Sequence, residues 1–542
     1  MPPSSKTEQS PLDEGLSHSL LAVLQTIRSQ PCHHAQQGVR AVRQLLNAVA
    51  DRGDLAELLG DPRFAHAAWN DPLRRRLLKL WQGGSTQSNE WLEGLHIADS
   101  DKARLRLFIR HLSDALAPSN SPLNPLFTEQ VVSTRGRNIR DGLLHLVGDL
   151  ALKRPLPAQN SDGGFVVGRD VATAAGSVVL REPLFELIQY QPTTATVHAA
   201  PLVIIPPPLN RFYLLDMTPG TSLVQHALDQ GLQVFLISWR NPNPSQCGWG
   251  FERYVQGAEA AVRAASKVSG NPATLLGVCA GGLIGLMLQG RLQAQNQSSL
   301  VSAATYLVTP IDARINADWT LMAGPGARQQ LRNQVWRQGC MGPRQLAAGF
   351  AWLRPDQLIW PQILQRYALG QEAAPHPVKF WNQDSTRLPA QLVDDLMTLF
   401  ERDPLGKPDG LSLGGVDIDL SKVTTPSWHL GAERDHIVPW VNSFPAARLG
   451  GDKTFLLCQG GHIQSLINPP GTPRAWYQSG AVKNASPEAW LQESARQEGS
   501  WWPAWSDWLK ARSGPAIQAP LAAGDAQHQP LGPAPGRYVN QL

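Results

Sequence analysis

The stretch Gly277-Val278-Cys279-Ala280-Gly281-Gly282 sets a thiol midway between two glycines, each two residues away. It follows the strand-like run ATLL and precedes the helix-like LIGLMLQGRLQAQ. A strand that turns sharply into a helix holds its turn residue in a strained conformation, and side chains on either side must be absent for the turn to close. The chemistry predicted for Cys279 is nucleophilic. The helix start lends positive partial charge that favours a thiolate, and the Ala280 amide is expected to donate to an oxyanion on the attacked carbonyl. Small residues around a cysteine occur in many strand-to-helix turns, so the motif gains weight only from partners.

Two partners stand at the expected places. AERD follows the run SWHLG and ends in Asp435; CQGGH follows the run KTFLL and ends in His462. Nucleophile, then acid, then histidine, each after a strand, is the order of α/β-hydrolases. A lone Asp or His in a loop is an ordinary turn residue, but three correct types in order at three strand ends are not. His436 cannot share one site with its neighbour Asp435 and is read as structural. Cys458 lacks an elbow and reads as a core or surface thiol. The second oxyanion donor is expected in the loop after PLVII, which reads Pro206-Pro207-Pro208-Leu209-Asn210-Arg211. Three prolines carry no N–H, so the first amides available are those of Leu209 and Asn210.

A cysteine that takes an acyl group from a thioester exchanges one thioester for another, near energy balance, and keeps the acyl group activated. If an alcohol attacks next the product is an ester; if water does, it is an acid. His462 serves as general base in both steps, oriented by Asp435. On this chemistry alone an ester-forming synthase and a thioesterase or depolymerase remain equally open, as does a weakly active paralogue. Excluding water decides between the first two, and a large cap is one means.

The elements that must position these residues are legible in outline. Residues 1–160 read as a helical domain: apolar positions recur at helical spacing in AVRQLLNAVADRGDLAELLG, DPLRRRLLKLW and KARLRLFIRHLSDAL, with Asp71 and Asp99/Ser100 as helix starts. Residues 161–513 alternate strand-sized apolar runs with helical stretches, as in a mostly parallel sheet covered on both faces: PLVIIP, QVFLISW, ATLLG, ATYLV, SWHLG and KTFLL. Roughly a hundred residues, about 316–424, separate two of these runs, too long for a connection, and read as a helical cap inserted over the site. The Pro/Ala/Gly-rich tail 514–542 reads as irregular.

Composition agrees with a globular protein: 542 residues, 42% hydrophobic and 17% charged, with a net charge of +4 spread along the chain. No basic run with interleaved aromatics favours nucleic acid, and no stretch is long and apolar enough for a transmembrane segment. The start is polar without a secretory pattern, so a cytoplasmic location is expected. The five cysteines, Cys32, Cys247, Cys279, Cys340 and Cys458, are widely spread without CxxC spacing, against a disulfide framework or a zinc site. Cys32 with His33 and His34 lacks further spaced ligands and reads as a loop. No metal or other cofactor is expected. Most of the eighteen tryptophans are expected in the core, those of WWPAWSDW (501–508) included.

Beyond these readings the chain resembles the polyhydroxyalkanoate synthases, and within them the class II type. The resemblance is carried by APSNSPLNP (117–125), ELIQY (186–190), ISWRNP (237–242), GVCAGG (277–282), WLRP (352–355), WNQDSTRLP (381–389), DHIVPW (435–440), GGHIQSLINPPG (460–471) and EGSWWPAW (498–505). It implies an α/β-hydrolase catalytic domain with a cap, and an N-terminal domain used for dimerisation and granule contact. It implies transfer from (R)-3-hydroxyacyl-CoA with release of coenzyme A, medium-chain substrates, a homodimer, and residence at the surface of polyester storage granules. By position it makes Cys279 the chain-bearing nucleophile, His462 the base and Asp435 its acid partner. Three departures lie close to the expected site: the third proline of PPPLN, Thr309 where Ser is common, and Gly460 where SGHIQ is usual; Thr309 and Gly460 are expected to line the substrate pocket. Gln464 of the same motif is expected to line the pocket with them.

Overall fold

The computed structural model describes Arg40, Arg43 and residues 55–541, apart from 155, 159–163, 314–320, 322–323, 373, 446–447 and 484–485. Most of the helical pattern over 41–60, and Cys32 with its two histidines, lie outside the described residues. The chain divides into two compact units: 1–161 with 318–333 and 348–374, and 162–317 with 334–347 and 375–542. The stretch 316–424, read from sequence as one cap, is thus shared between the two units.

The first unit is helical. Asp71 caps α1 (Pro72–Glu93), its carboxylate accepting from the amides of Leu73 and Arg74 at 3.0 and 3.1 Å. α2 (Asp99–Ala115) opens with Asp99 and Asp101 in its first turn, where acids complement the exposed amides. Trp81 of α1 donates its indole N–H to the Ser113 carbonyl of α2 at 2.8 Å. Asn124 caps α3 (Pro125–Thr134), and α4 (Arg137–Ala151) follows. Asp149 of α4 is buried and holds Arg366 at 2.7 Å and the Tyr367 hydroxyl at 3.0 Å, which ties the 348–374 stretch to the N-terminal helices. Ile139, Leu143, Leu144, Val147 and Leu150 of α4 are exposed.

The second unit is built on a ten-stranded sheet: β1 (Gly176–Arg181), β2 (Phe185–Tyr190), β3 (Pro201–Ile205), β4 (Gln233–Trp239), β5 (Ala273–Val278), β6 (Val301–Leu307), β7 (Ser427–Ala432), β8 (Lys453–Cys458), β9 (Trp476–Ala481) and β10 (Ala495–Glu498). Their order is β1-β2-β4-β3-β5-β6-β7-β8-β9-β10. Strands β3 to β8 run parallel, β2 pairs antiparallel with β1 and β4, and β9 and β10 continue antiparallel at the far edge. This is the α/β-hydrolase sheet, extended by two strands. The six strands expected from sequence are its parallel centre; β3, β4, β5 and β7 are buried at every position, which is why they read as unbroken apolar runs.

Helices α5 (Leu223–Asp229), α6 (Phe251–Ser269) and α7 (Ala280–Ala294) fill the crossovers, α7 being apolar and buried almost all round. The tail carries little regular structure but is fixed along the sheet edge. Gly532 accepts from the Val178 amide at 2.9 Å, Leu531 donates to the Val178 carbonyl at 2.7 Å, and Ala534 donates to Gly176 at 2.9 Å. It thereby covers the open edge of β1. Trp501, Trp502 and Trp505 are all buried, and Trp505 donates to Thr305 of β6 at 3.0 Å, so the WWPAW segment is core. Among the described residues no helix is long and apolar enough to cross a membrane, and no group of three or more His, Cys, Asp or Glu is placed to hold a metal ion.

Candidate active site

In a parallel sheet with alternating crossovers, the loops at the carboxyl ends of the strands gather on one edge. Cys279 follows β5, Thr309 follows β6, Asp435 follows β7 and His462 follows β8. Cys279 has φ 50° and ψ −120°, a conformation that side-chain-bearing residues rarely adopt. The turn is braced from both sides: the Cys279 amide donates to Leu307 of β6 at 2.9 Å, and its carbonyl accepts from Gly282 at 2.9 Å. Close packing fixes the glycine at 281. A Cβ there would lie 2.1 Å from the Ile205 carbonyl oxygen and 2.6 Å from that of Pro206. The elbow is therefore pressed against the end of β3, where the expected oxyanion loop begins.

Nδ1 of His462 lies 2.6 Å from Oδ2 of Asp435. A carboxylate has no proton to give, so Nδ1 donates and Nε2 is left free for a nucleophile; the Cys279 sulfur is near enough for its charge to act on the ring. The other carboxylate oxygen is fixed as well: Oδ1 of Asp435 accepts from the amides of Ile437 and Val438, both at 2.9 Å. Burial alone would push the imidazole down. The charges of Asp435 and Cys279, with the hydrogen bond to Asp435, outweigh it and raise His462 to about 10. Another buried histidine shows the contrast. His429 of β7 stacks on Tyr306 with no carboxylate beside it, and burial, helped by Lys453, pushes it down to about 3. Among the thiols, Cys458 is fully buried at the end of β8, and burial pushes it well up, out of reach of thiolate chemistry. Cys279 is half-buried.

Ala280 begins α7, so its amide has no carbonyl one turn earlier in the helix to bond. Leu209 and Asn210 lie in the loop after β3 and are bridged to a segment further along the chain: Thr386 donates to the Leu209 carbonyl at 3.3 Å, and Asn210 Nδ2 to Ser385 Oγ at 3.4 Å. Thr309 is buried beside Gly282 of the elbow and donates to the Leu307 carbonyl at 3.2 Å. Gly460 has φ +110°, which favours glycine, and its carbonyl accepts from Arg434 at 2.9 Å. Gln464 sits in the short helix begun by His462 but is exposed, with its Cβ packed toward Gly460.

Sequence reasoning missed the supports. The amides of Ile437 and Val438 belong to the quoted DHIVPW stretch, and Thr386 and Ser385 to WNQDSTRLP; both stretches stood as motifs without assigned roles. Also missed is a buried ion cluster in which Arg448 bonds Asp312 at 2.7 Å and Asp403 at 2.6 Å, while Asn442 holds the Asp312 carbonyl at 2.6 Å. It anchors the loop that carries Thr309.

Comparison with known proteins follows the same lines. The family model described as the N-terminus of poly-beta-hydroxybutyrate polymerase (PhaC) matches residues 60–227. Poly(3-hydroxyalkanoate) polymerase 2 of Ectopseudomonas oleovorans is 40% identical over 547 residues, covering 99% of this chain and 98% of that protein. Poly(3-hydroxyalkanoate) polymerase 1 of the same organism is 35% identical, covering 97% and 94%. Among solved structures, a monoacylglycerol lipase of Paleococcus ferrophilus aligns with 60% of this chain and 99% of its own, at 12% identity and a TM-score of 0.32.

Proposed function

Because the chain belongs to the poly(3-hydroxyalkanoate) polymerase family and is an acyltransferase of that kind, we propose that Cys279 carries the growing polyester as a thioester, with His462 as its base and Asp435 as the group that orients the base. The observation that carries this reading is the hydrogen bond of the His462 imidazole to the Asp435 carboxylate, with the Cys279 sulfur near enough to raise the imidazole through its charge.

In the first step His462 holds the proton of the Cys279 thiol, and the thiolate attacks the thioester carbonyl of an (R)-3-hydroxyacyl-CoA. The oxyanion is received by the Ala280 amide and by that of Leu209 or Asn210. The carbon–sulfur bond to coenzyme A breaks, and its sulfur leaves with the proton from His462. In the second step the hydroxyl of another hydroxyacyl-CoA gives its proton to His462 and attacks the acyl group on Cys279. The ester forms as the bond to the Cys279 sulfur breaks, and the thiolate then takes the lengthened chain back from its thioester, coenzyme A leaving with the proton from His462. Thr309, Gly460 and Gln464 line the acyl pocket in this reading. No prosthetic group enters the scheme, since coenzyme A arrives with the substrate and leaves as product.

The N-terminal helical domain, about 1–160, is the part we assign to granule contact and dimerisation. The exposed apolar residues of α4 support contact with an aliphatic polyester surface. The insertion about 316–424 is assigned to covering the site and the tail 514–542 to bracing the catalytic domain, 161–513. The enzyme then works in the cytoplasm at the surface of storage granules.

The test is to incubate the purified protein with (R)-3-hydroxybutyryl- through (R)-3-hydroxydodecanoyl-CoA and record both released coenzyme A and insoluble polyester. The reading expects the two to rise together, and both to fall steeply in C279S, whose hydroxyl is the harder group to ionise. Coenzyme A release with only free hydroxy acid as product would overturn it.

A further inference from the structure

The loop Pro206–Arg211 has an unusual problem: three consecutive prolines leave its first half without N–H donors, so that half cannot brace itself through its own amides. Its carbonyls are instead held from outside. Trp239 Nε1 donates to Pro206 at 2.7 Å, Thr386 Oγ1 to Pro208 at 2.8 Å, the Thr386 amide to Leu209 at 3.3 Å, and Trp381 Nε1 to Arg211 at 2.7 Å. Three of these four donors come from the one stretch 381–386.

The end of the loop is anchored by charge. The Arg211 guanidinium is almost fully buried; its Nε donates to Asp384 at 3.2 Å, its Nη1 to the Tyr538 carbonyl at 3.1 Å, and its Nη2 to that of Gln541. Tyr213 donates its hydroxyl to the other oxygen of Asp384 at 2.9 Å. Trp381 and Thr386 are themselves buried. The same loop starts where Ile205 and Pro206 abut Gly281 of the elbow. What fixes the loop therefore fixes its amides relative to Cys279.

We infer that Trp381, Asp384 and Thr386 are positioning residues for the oxyanion hole: they clamp the proline loop through its carbonyls and through Arg211, and so aim the amide of Leu209 or Asn210 at the acyl carbonyl on Cys279. The inference rests on the reading that this loop supplies the second donor. None of the three touches substrate. Their effect is to remove the freedom of a loop whose proline half lacks donors of its own, so that the amide is in place before charge develops.

The test compares T386V with T386S and wild type. Valine keeps the shape but removes the bond to the Pro208 carbonyl; serine keeps the bond. Two rates are measured on each full-length protein: first-turnover release of coenzyme A from saturating (R)-3-hydroxyacyl-CoA, and alkylation of Cys279 by iodoacetamide, followed by mass spectrometry of the Cys279 peptide. Alkylation uses the same thiolate but builds no oxyanion. The expected result is acylation about 10- to 100-fold slower in T386V with KM within about threefold, alkylation unchanged, and T386S close to wild type. An unchanged acylation rate in T386V overturns the inference, as does an equal loss in both reactions, which marks a structural role only. L209P and N210P, which delete the two amides, separate the underlying reading. Full acylation in both would overturn the placement of the hole and the inference with it, whereas a loss in either with a full rate in T386V would overturn the clamp alone.

Discussion

The 2.6 Å contact between His462 Nδ1 and Asp435 Oδ2 joins two loops, after β8 and β7, and fixes which imidazole nitrogen is left to serve as the base. Asp435 is itself immobilised by the amides of Ile437 and Val438, so the ring inherits a defined orientation from the backbone. Replacing Asp435 by Asn keeps the size but removes the charge and permits the wrong tautomer. The expected loss in acylation rate is about 10²- to 10⁴-fold, read from first-turnover coenzyme A release. A loss smaller than about tenfold would show that the carboxylate is dispensable.

The same pair sets a pH dependence of stability. The folded imidazole is raised to about 10 from its ordinary 6.5. A group raised on folding contributes stability that is fully present below the unfolded value and disappears as pH climbs through the folded one. The His462 contribution is thus complete near pH 6 and lost by about pH 10. Subtracting the thermal midpoint of D435N from that of wild type across this window isolates it, and the difference is expected to shrink as pH rises. A flat or rising difference would contradict the ion pair.

Gly281→Ala brings a methyl group to 2.1 Å from the Ile205 carbonyl oxygen, backbone that cannot move without disturbing β3. The expected cost is about 1–3 kcal/mol in chemical denaturation, with a disproportionate loss of activity because the displaced parts are the elbow and the oxyanion loop. Unaltered stability and rate would show that the two turns are not in contact.

Arg448 is shared by Asp312 and Asp403, all three buried or nearly so. Arg448→Met removes the guanidinium that the two largely buried carboxylates share. A destabilisation of about 3–5 kcal/mol is expected, measured by denaturant unfolding. A change below about 1 kcal/mol would mean that solvent reaches the cluster and screens it.

On α4, Leu143→Glu combined with Val147→Glu alters two exposed side chains and no core contact. Sedimentation with washed polyester granules is expected to fall, while coenzyme A release from soluble substrate stays near wild type. Equal partition of variant and parent onto granules would remove α4 from the contact surface.

Much of the catalytic frame was legible because buried parallel strands must be apolar on both faces, and because the triad depends only on which strand each residue follows. The outer strands were not. β2 reads FELIQY, with Glu186 and Gln189 polar yet buried, since Arg181 and the amides of Arg537 and Tyr538 satisfy Glu186 and the Gly524 amide donates to Gln189. Apart from Arg181, those partners lie hundreds of residues away in a tail that looked merely irregular. β10, ARQE, is exposed throughout and carries no apolar signal. The clamp on the proline loop stayed hidden for the same reason: Thr386 and Pro208 are far apart in sequence, and only folding shows that one supplies the donors the other region lacks. The long insertion over about 316–424 was legible as a length, but not its division between two units, which depends on packing.

The central claim is that the acyl chain resides on the sulfur of Cys279. The most direct measurement is to mix the enzyme with a limiting amount of isotopically labelled (R)-3-hydroxyacyl-CoA, quench in acid within the first turnover, and locate the label by peptide mass spectrometry. A hydroxyacyl thioester on the Cys279 peptide, absent from H462A quenched at the same time, is the predicted result. Coenzyme A release with unmodified Cys279 and all label in free acid or on another residue would contradict it.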